Sequence, residues 1–501
     1  EPLQLYLTPD GGEEQSPLEW WDPFILVSRR LIDKKLAPKE SIRAICCSTQ
    51  GEGTIPVDRN GTALMNCILW MDMRGAPNLI KQFRGTINIT GLGLRKTINW
   101  INLTGGIPSI TGKDPAAHML YIRDTYPQIY SQTYKFLNVL DYLNLRLTGN
   151  FCATFDSILT SWVTDNRDPA NIKYHSGLIH NSGIEADKFP QIVPCTDMIG
   201  ELLPAVASEL GLKPGVKIVA GAIDTTAAAI GSGATEDYLP HLYMGTSSWL
   251  AAHVPFKKTD IQYSLASVPC AIPGRYLLTA LQATGGGNLT FLRDKIIYNK
   301  DELLQEANAP DIFKVLDQIA ARVPAGANGI IYTPWIWGER APVEDKALRA
   351  GLYNISLHNN REDIIRAFLE GIALNTRWLL APVEKFLGRK LDTMHIVGGG
   401  AQSDVWCQIF ADVLNIQIKQ VQLPMYANAR GAAWIAAVGM GETTFSELWS
   451  MVQFKRVYDP QAQNHELYLR RFNQFKQIYR QMRSIYHQLN GLDSLTQTTK
   501  S

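Results

Sequence analysis

Short runs of apolar and β-branched residues alternate along the chain with longer segments in which apolar positions recur every three or four residues. This alternation is typical of an α/β protein, in which helices connect the strands of a largely parallel sheet. Each of four short runs ends in a glycine-rich turn, and the last three of them lead into a helical pattern. These predicted strands are Ser41–Ser48, Val216–Ala220, Tyr276–Ala283 and Met394–Val397.

The chain contains two strand–turn–helix units that resemble each other, Lys217–Asp224 and His395–Gln402. Each is followed by a segment of small residues, which favours two copies of one architecture. At 501 residues the chain is also too long for one ordinary hydrophobic core. Glycine and proline interrupt the pattern between residues 233 and 241. We therefore predict one domain over residues 1–235, a second over 236–490 and a tail over 491–501.

Charge and cysteine content exclude several classes of function. The 48 basic residues nearly balance the 47 acidic ones, so no electrostatic surface for nucleic acid or an anionic membrane is expected. No apolar run is long enough to span a bilayer. Seven cysteines without a Cys-x-x-Cys pair indicate neither a disulfide framework nor a zinc site. These features predict a cytoplasmic protein.

The familiar catalytic motifs are absent from the sequence. Thr111–Asp114 comes nearest to a phosphate-binding P-loop, but it lacks the upstream glycine and has Asp after Lys. No strand leads into Gly-x-Gly-x-x-Gly, and neither His-Glu-x-x-His nor Gly-x-Ser-x-Gly occurs. P-loop enzymes, nicotinamide dehydrogenases, metallopeptidases and serine hydrolases are therefore disfavoured.

Asp224 is the carboxylate with the most suggestive position, since it follows a predicted buried strand and a tight turn and precedes the small residues Thr225–Ala229. A carboxylate there either caps a helix or acts as a base. Further along the chain, Gly245–Ser247 offers hydroxyls and amides to a phosphate, and Trp249 suits the face of a sugar. The turn Gly398–Gly400 permits close approach of a nucleotide. Together these segments favour the catalytic interpretation.

Five further motifs occur in order along the chain: Glu14–Trp21, Trp70–Arg74, Gly338–Pro342, Arg366–Ala373 and Gly398–Ser403. In these motifs the sequence resembles the FGGY carbohydrate kinases over nearly its whole length. The resemblance implies an α/β fold of two ribonuclease-H-like domains, related to actin and hexokinase, which close over a central cleft. It also implies ATP-dependent phosphorylation of a sugar or polyol hydroxyl, with sugar bound by the N-terminal domain and nucleotide by the C-terminal one.

The resemblance further implies a role for particular residues. Asp224 would be the general base that takes the proton from the attacking hydroxyl. No residue is assigned as a metal ligand, although ATP would act together with Mg²⁺. The sugar would meet Gln50, Glu52, Asp72 and Trp249. The nucleotide would meet Thr246, Gly286, Thr290, Gly400 and Asp404.

One motif of the family, an Asp-x-Gly-Thr hairpin that precedes the Glu14–Trp21 segment, does not occur in the sequence. We therefore expect the chain to begin downstream of the true N-terminus of the protein. Without the hairpin, a catalytically inactive sugar-binding or sensing protein on the same scaffold is an alternative. The presence of Asp224 argues against that alternative.

The loop Gln50–Gly53 bears on the choice of substrate. Xylulokinases carry Gln-Met-His-Gly in this loop and glycerol kinases carry Gln-Arg-Glu-Thr. Glu52 therefore matches the glycerol type, whereas Gly51 matches neither. The other motifs favour a ketopentose such as xylulose, and glycerol or another polyol is the alternative. The expected partner is thus a small sugar or polyol, with a homodimer left open.

Overall fold

The computed structural model of the chain describes residues 1–89, 91–299 and 312–491, so the predicted tail lies outside the described residues except for Gly491. Strands and helices alternate in both halves of the chain, as the sequence predicts. The four predicted strands are confirmed with small shifts of their ends. The first of them begins at Ala44, because Lys39–Ser41 forms a short 3₁₀ turn instead.

The described part of the N-terminal half contains mostly short strands, which lie between nine helices of 6 to 16 residues. The strands are β1 (Tyr6–Leu7), β2 (Glu13–Gln15), β3 (Ala44–Thr49), β4 (Ile55–Val57), β5 (Cys67–Ile68), β6 (Asn88–Ile89), β7 (Leu92–Gly93), β8 (Lys135–Leu137), β9 (Cys152–Thr154), β10 (Thr164–Asp165), β11 (Lys173–Tyr174), β12 (Gln191–Val193), β13 (Met198–Glu201) and β14 (Lys217–Ile223). The helices are α1 (Leu18–Asp33), α2 (Ala76–Phe83), α3 (Leu94–Leu103), α4 (Pro115–Thr125), α5 (Pro127–Gln132), α6 (Val139–Thr148), α7 (Ser176–Ser182), α8 (Pro204–Leu210) and α9 (Asp224–Gly231).

The described part of the C-terminal half contains longer strands and the two longest helices, α12 and α16. Its strands are β15 (Pro240–Met244), β16 (Ser248–Val254), β17 (Thr259–Asp260), β18 (Leu265–Pro269), β19 (Tyr276–Gln282), β20 (Ile331–Thr333), β21 (Gly351–Tyr353), β22 (Thr393–Val397), β23 (Gln417–Val421) and β24 (Phe454–Tyr458). Its helices are α10 (Gly287–Phe291), α11 (Phe313–Arg322), α12 (Arg361–Leu387), α13 (Asp404–Leu414), α14 (Ala427–Gly439), α15 (Phe445–Met451) and α16 (Ala462–Asn490).

The sheet of the N-terminal half that positions the site has the order β13-β14-β3. Strands β14 and β3 are parallel, and Ile223 pairs with Thr49 at their carboxyl ends. Apolar side chains such as Ile218 and Val219 are fully buried along β14, because both faces of this strand are covered. The register therefore places the residues that follow, Gln50 and Asp224, side by side at one edge of the sheet.

The C-terminal half is built on an eight-stranded sheet of order β17-β18-β19-β16-β15-β22-β23-β24. Strands β15, β22 and β23 are parallel, and β19 runs the same way as β15 because both are antiparallel to β16. Consequently β15, β19 and β22 all end at the same edge. The three glycine-rich turns that follow them are brought together there.

Helix α12 forms the centre of the C-terminal core. Asn360 caps its first turn, where the side chain accepts the N–H of Glu362, and Gly388 ends it in the left-handed region with a φ of 71°. Inside, Arg366 pairs with Glu370 at 2.7 Å, and Tyr468 of α16 donates its hydroxyl to Glu370 at 2.7 Å. This buried network joins α12 to α16.

The two halves contact each other where α9 crosses α14. A Cβ atom on Gly231 would overlap the carbonyl of Ala427, and one on Gly431 would overlap the carbonyl of Ala227. Interiors are packed so closely that a side chain at either position would push the helices apart. The crossing thus fixes α9, whose first residue is Asp224, against the C-terminal half.

None of the helices in the described ranges is both long enough and apolar enough to cross a membrane.

Candidate active site

Asp224 is the first residue of α9 and follows β14 directly. Its carboxylate is half-buried, and Oδ1 accepts a hydrogen bond of 2.7 Å from the N–H of Thr225. Burial raises the pKa of Asp224 to about 6; the hydrogen bond from Thr225 opposes this rise, and the charge of Asp156 adds to it. Such a carboxylate is mostly ionised at pH 7 but basic enough to accept a proton.

Asp156 supports the backbone that precedes Asp224. This buried side chain accepts the N–H of Ile223 at 3.0 Å through Oδ2 and the hydroxyl of Thr154 at 2.6 Å through Oδ1. The sequence interpretation missed Asp156, since it lies 67 residues from the N–H that it holds and matches none of the motifs considered. Its position makes it a residue that orients the start of α9.

The loop Gln50–Gly53 leaves β3 beside the end of β14, with Gln50 half-buried at its start. A Cβ atom on Gly51 would lie only 3.4 Å from the side chain of Ile223. Glu52 has a φ of 65°, in the left-handed region that residues with a Cβ rarely occupy. The loop is thereby folded back over the residues adjacent to Asp224.

The carboxyl group of Glu52 lies among charges but makes no hydrogen bond or ion pair with any described residue. Burial and the charge of Asp114 raise the pKa of Glu52 to about 8; the charge of Arg340 opposes the rise, and that of Asp224 adds to it. Glu52 therefore carries a proton at pH 7 and can donate as well as accept a hydrogen bond.

Beside Glu52 lie Lys113 and Asp114. In the sequence these two residues were notable only as part of Thr111–Asp114, which does not match a P-loop. Asp114 is buried, and its Oδ2 accepts the indole N–H of Trp162 at 2.7 Å and the N–H of Ser109 at 2.6 Å. Burial raises the pKa of Asp114 to about 6. The ammonium group of Lys113 lies 5.8 Å from the ring centre of Trp70. These groups are the hydrogen-bonding and aromatic partners that a polyhydroxylated ligand requires.

Arg340 faces this group of residues from the C-terminal half of the chain. Its positive charge opposes the rise in the pKa of both Glu52 and Asp114. The guanidinium is exposed, and no carboxylate of the described residues lies within ion-pair distance of it. Arg340 belongs to the Gly338–Pro342 motif, to which the sequence analysis gave no individual role.

The turns at the edge of the C-terminal sheet contact one another directly. The N–H groups of Gly285 and Gly287 donate to the carbonyl of Thr246 at 2.8 and 3.0 Å, and that of Gly286 donates to Gly245 at 2.7 Å. Thr246 is exposed at the tip of the β15–β16 hairpin. The structure thus brings together Thr246 and Gly286, two of the expected nucleotide ligands.

Asp224 lies near this hairpin. Its charge adds to the effect of burial in raising the pKa of Tyr243, which precedes Gly245 by two positions. Thr290 is exposed on α10, one turn beyond Gly286, whose carbonyl accepts its N–H at 3.2 Å. The expected base and the expected phosphate-binding turns therefore occupy one region.

Gly400 was expected to contact the nucleotide, but its Cβ direction points into the protein. A Cβ atom there would overlap the side chain of Met244 and lie 2.7 Å from that of Trp406, so this face of the turn is packed against protein. Gly399 instead is exposed, with nothing within 4 Å of its Cβ position. The open side of the turn is at Gly399.

Asp404 begins α13 immediately after this turn. Lys455 donates to its carboxylate at 2.6 Å and Gln420 donates at 3.0 Å. Burial favours the neutral acid, but these hydrogen bonds outweigh it and lower the pKa of Asp404. The residue is half-exposed, so contact with a nucleotide stays a prediction.

Asp72 and Trp249, the two remaining expected sugar contacts, are both buried. Asp72 is fully buried, and its two oxygens accept hydrogen bonds from Arg74 and from the N–H of Glu13. Trp249 is 5% exposed and stacks on Tyr243 with ring centres 3.9 Å apart. The carboxylate of Asp72 is therefore already occupied, whereas the buried indole N–H of Trp249 has no hydrogen-bond partner among the described residues, so its contact with a sugar stays a prediction. Trp70 and Trp162 lie near Lys113 and Asp114.

A bound ATP would find suitable groups at these turns: the exposed hydroxyl of Thr246, backbone groups of the glycine turns and the open face of Gly399. Within residues 1–89, 91–299 and 312–491, no three His, Cys, Asp or Glu side chains are arranged to hold a metal ion. Mg²⁺ is commonly bound by one or two carboxylates together with substrate phosphates. Asp224, the carboxylate near these turns, is the expected base, so Mg²⁺ would be held chiefly by the phosphate oxygens of the nucleotide.

Comparison with known proteins gives matches over most of the chain. The model of the FGGY family of carbohydrate kinases, N-terminal domain, matches residues 1–231, and that of the C-terminal domain matches residues 241–440. Xylulose kinase of Staphylococcus epidermidis is 27% identical over 97% of this chain and 92% of its own length. Xylulose kinase of Bacillus subtilis is 28% identical over 94% of this chain and 89% of its own length.

A similar fold occurs in the ligand-bound xylulose kinase from Lactobacillus acidophilus, with a TM-score of 0.82 and 22% identity over 97% of this chain and 94% of that one. This likeness supports the predicted fold of two actin- and hexokinase-like domains. Because the two family models together match most of the chain, the protein belongs to the FGGY family of carbohydrate kinases.

Proposed function

We propose that the chain transfers the γ-phosphoryl group of ATP to a hydroxyl group of a ketopentose such as xylulose, with Asp224 as the general base. The observation that carries this proposal is the position of Asp224. It lies beside Glu52 on one side and near the Thr246 hairpin on the other. A base placed there reaches a sugar hydroxyl and faces the phosphate that the hydroxyl attacks.

The reaction follows from this placement. The carboxylate of Asp224 accepts the proton of the hydroxyl, the hydroxyl oxygen forms a bond to the γ-phosphorus, and the bond to the bridging oxygen of ADP breaks. The hydroxyl of Thr246 donates a hydrogen bond to a phosphate oxygen, while the N–H groups of Gly285–Gly287 hold the two turns together by donating to the carbonyls of Gly245 and Thr246. Mg²⁺, when bound to those phosphates, offsets part of their negative charge.

The remaining residues of the pocket suit a neutral sugar. Protonated Glu52 and the free oxygen of Asp114 provide a donor and an acceptor, while Lys113 and Arg340 add donors. Trp162 is held in place through its bond to Asp114 and offers an aromatic surface. A polyol with several hydroxyl groups satisfies such a set of partners better than an apolar ligand does.

The choice of a ketopentose rests on the curated relatives that are named xylulose kinases. Glycerol or another polyol is the second candidate, because Glu52 matches the glycerol type of sugar loop. Relatives outside the xylulose kinases include a gluconokinase of Bacillus subtilis, 25% identical over 82% of this chain and 77% of its own length. Sugar acids therefore belong in any substrate panel.

The test is release of ADP by the purified chain with Mg²⁺ and ATP, using xylulose, ribulose, gluconate and glycerol in turn. We expect the highest kcat/KM with a ketopentose and formation of its phosphate ester. If kcat/KM is highest with glycerol, glycerol replaces the ketopentose as the proposed substrate. Binding of sugar without any turnover would instead support a catalytically inactive protein on the same scaffold.

A further inference from the structure

Glu339 immediately precedes Arg340 in the chain. Its side chain is only 3% exposed, and its carboxylate accepts three hydrogen bonds. Oε1 accepts the N–H of Ala283 at 2.8 Å and the N–H of Arg340 at 2.8 Å. Oε2 accepts the side-chain N–H of Asn375 in α12 at 2.5 Å. A single carboxylate thus connects the end of β19, the loop that carries Arg340 and the central helix of the C-terminal core.

The two backbone groups that share Oε1 lead to different parts of the active site. Ala283 is followed directly by Thr284 and the turn Gly285–Gly287, which contacts the Thr246 hairpin. Arg340 carries the guanidinium that faces Glu52 and Asp114 from the opposite half of the chain. A shift of the loop that holds Arg340 must therefore pull on the carboxylate that also anchors the glycine turn.

Arg340 is free to undergo such a shift. Its side chain is exposed and makes no ion pair with the described residues, although Glu52, Asp114 and Lys113 are close enough for its charge to affect each of them. A sugar held by Glu52 and Asp114 would offer oxygen acceptors to the guanidinium. Binding of the sugar then favours movement of Arg340 toward the N-terminal half.

We propose that Glu339 is a positioning residue that couples the sugar pocket to the nucleotide turn, so that closure of Arg340 on a sugar and ordering of Gly285–Gly287 under ATP occur together. The inference rests on the proposed function, which places sugar and ATP on these two sides. It assigns Glu339 no contact with either substrate.

The network explains why glutamate is needed at this position. Oδ1 of Asn375 accepts the indole N–H of Trp335 at 3.1 Å, so the amide N–H₂ of Asn375 points at Glu339. In Glu339→Gln, a new N–H₂ would face that of Asn375 if the other oxygen keeps its two backbone donors. Two donors without an acceptor between them are unfavourable in a buried site. Glutamine thus loses the contact that fixes the side chain to α12, so it holds the N–H groups of Ala283 and Arg340 less firmly while keeping size and shape.

The test is calorimetric binding of the preferred sugar to the full chain, without and with Mg²⁺ and a non-hydrolysable ATP analogue. For the wild type we expect the analogue to tighten sugar binding at least about fivefold, the lower range of site-to-site coupling. In Glu339→Gln the affinity for each ligand alone should stay near the wild-type value, while the tightening should fall toward onefold. Arg340→Met should lose both sugar affinity and the tightening.

A matched control is Arg361→Met, because Arg361 is an exposed arginine at the start of α12, outside the cleft. It should behave as the wild type does. If Glu339→Gln does not fold, the same measurement on Ala283→Pro decides, since proline deletes the N–H that Oε1 accepts and nothing else of the network.

Full tightening in Glu339→Gln, or in Ala283→Pro, would overturn the inference. Equal loss of affinity for both ligands measured singly would also overturn it, because a merely structural residue gives that result. A wild-type chain that binds both ligands without any tightening contradicts the coupling but leaves the proposed function intact. A wild-type chain that binds no sugar overturns the proposed function and this inference with it.

Discussion

Burial and the charge of Asp114 raise the pKa of Glu52, and the charge of Asp224 adds to this rise although Asp224 and Glu52 lie in distant parts of the sequence. They become neighbours because β3 and β14 are parallel, with Thr49 paired to Ile223 at their carboxyl ends. Ligands of α/β proteins commonly bind outside the carboxyl ends of parallel strands. The sheet register therefore creates the pocket on which the following predictions depend.

Asp224→Asn should lower kcat by about 10²–10⁴, since the variant lacks a proton acceptor at the attacking hydroxyl. Asparagine can still accept the N–H of Thr225, so thermal stability and ATP affinity should stay close to those of the wild type. Steady-state kinetics and thermal unfolding measure the two effects. A strong loss of stability would show that the residue mainly caps α9.

The pH dependence of kcat should show an ascending limb with an apparent pKa near 6, because Asp224 must be ionised to accept a proton. Its pKa is raised in the folded state above the ordinary value near 4, so the folded state takes up the proton first as the pH falls. Asp224 therefore contributes stability at pH 5 that is lost as the pH rises through 6. Activity should thus fall between pH 7 and 5 without a loss of stability caused by this residue, which denaturant unfolding at both pH values checks.

The raised pKa of Glu52 predicts that KM for the sugar also depends on pH, on the alkaline side. Above pH 8 it ionises beside Asp114 and Asp224, and the crowding of three carboxylates should raise KM for the sugar. Glu52→Gln should remove this rise, because glutamine stays neutral. An alkaline increase in KM that persists in Glu52→Gln would assign this increase to another group.

Glu52→Ala tests the same residue for specificity. A site built to pair a substrate hydroxyl discriminates strongly against analogues that lack it. The variant should raise KM for the preferred sugar and reduce the preference among pentoses and polyols, with no change in ATP affinity. An unaltered substrate profile would place Glu52 outside the site.

Gly399→Val and Gly400→Val should separate nucleotide binding from folding. Valine at 399 extends into open space, where we expect the nucleotide, so it should weaken ATP binding far more than sugar binding. Valine at 400 collides with Met244 and Trp406, and overpacking of this kind costs about 1–3 kcal/mol of stability. Ligand titrations and chemical unfolding of both variants provide the comparison. Equal weakening of sugar and ATP binding by Gly399→Val would make that turn purely structural.

Arg366→Met should lower the free energy of unfolding by about 3–5 kcal/mol, because it leaves the buried Glu370 without its cation. Lys390→Met is the control, since Lys390 is 85% exposed in its pair with Glu384 and surface pairs contribute about 1 kcal/mol or less. Urea unfolding of both variants measures the difference. Similar losses would mean that the Arg366–Glu370 pair adds little to the core.

Much of the fold was predictable from local patterns. Each strand that was predicted from a buried apolar run is present, because such runs must be covered on both faces. Ends of elements were less predictable, as at Ala44, where the preceding residues turn before the strand begins. For the candidate site, the sequence singled out Asp224, Glu52 and the glycine turns, since each stands in a short motif next to a strand, and their roles stay predictions.

Asp114, Asp156 and Glu339 were not identified, because at least one partner of each is supplied by a remote segment. Asp156 acts on the N–H of Ile223, and Glu339 on that of Ala283, contacts that no local pattern contains. The same limit explains why Asp72 was expected to contact the sugar. Its motif is recognisable, but only the packing of Arg74 and Glu13 around it shows that its carboxylate is already occupied.

The sequence by itself determined the α/β class, the family and the chemical types available to the site, because these depend on periodicity and on motifs within a few residues. The tertiary structure alone decided which of those residues meet. Strand register placed Asp224 beside Glu52, and the packing of Met244 and Trp406 turned the Cβ direction of Gly400 away from the cleft. Such contacts arise from burial across long sequence separations, which local patterns do not encode.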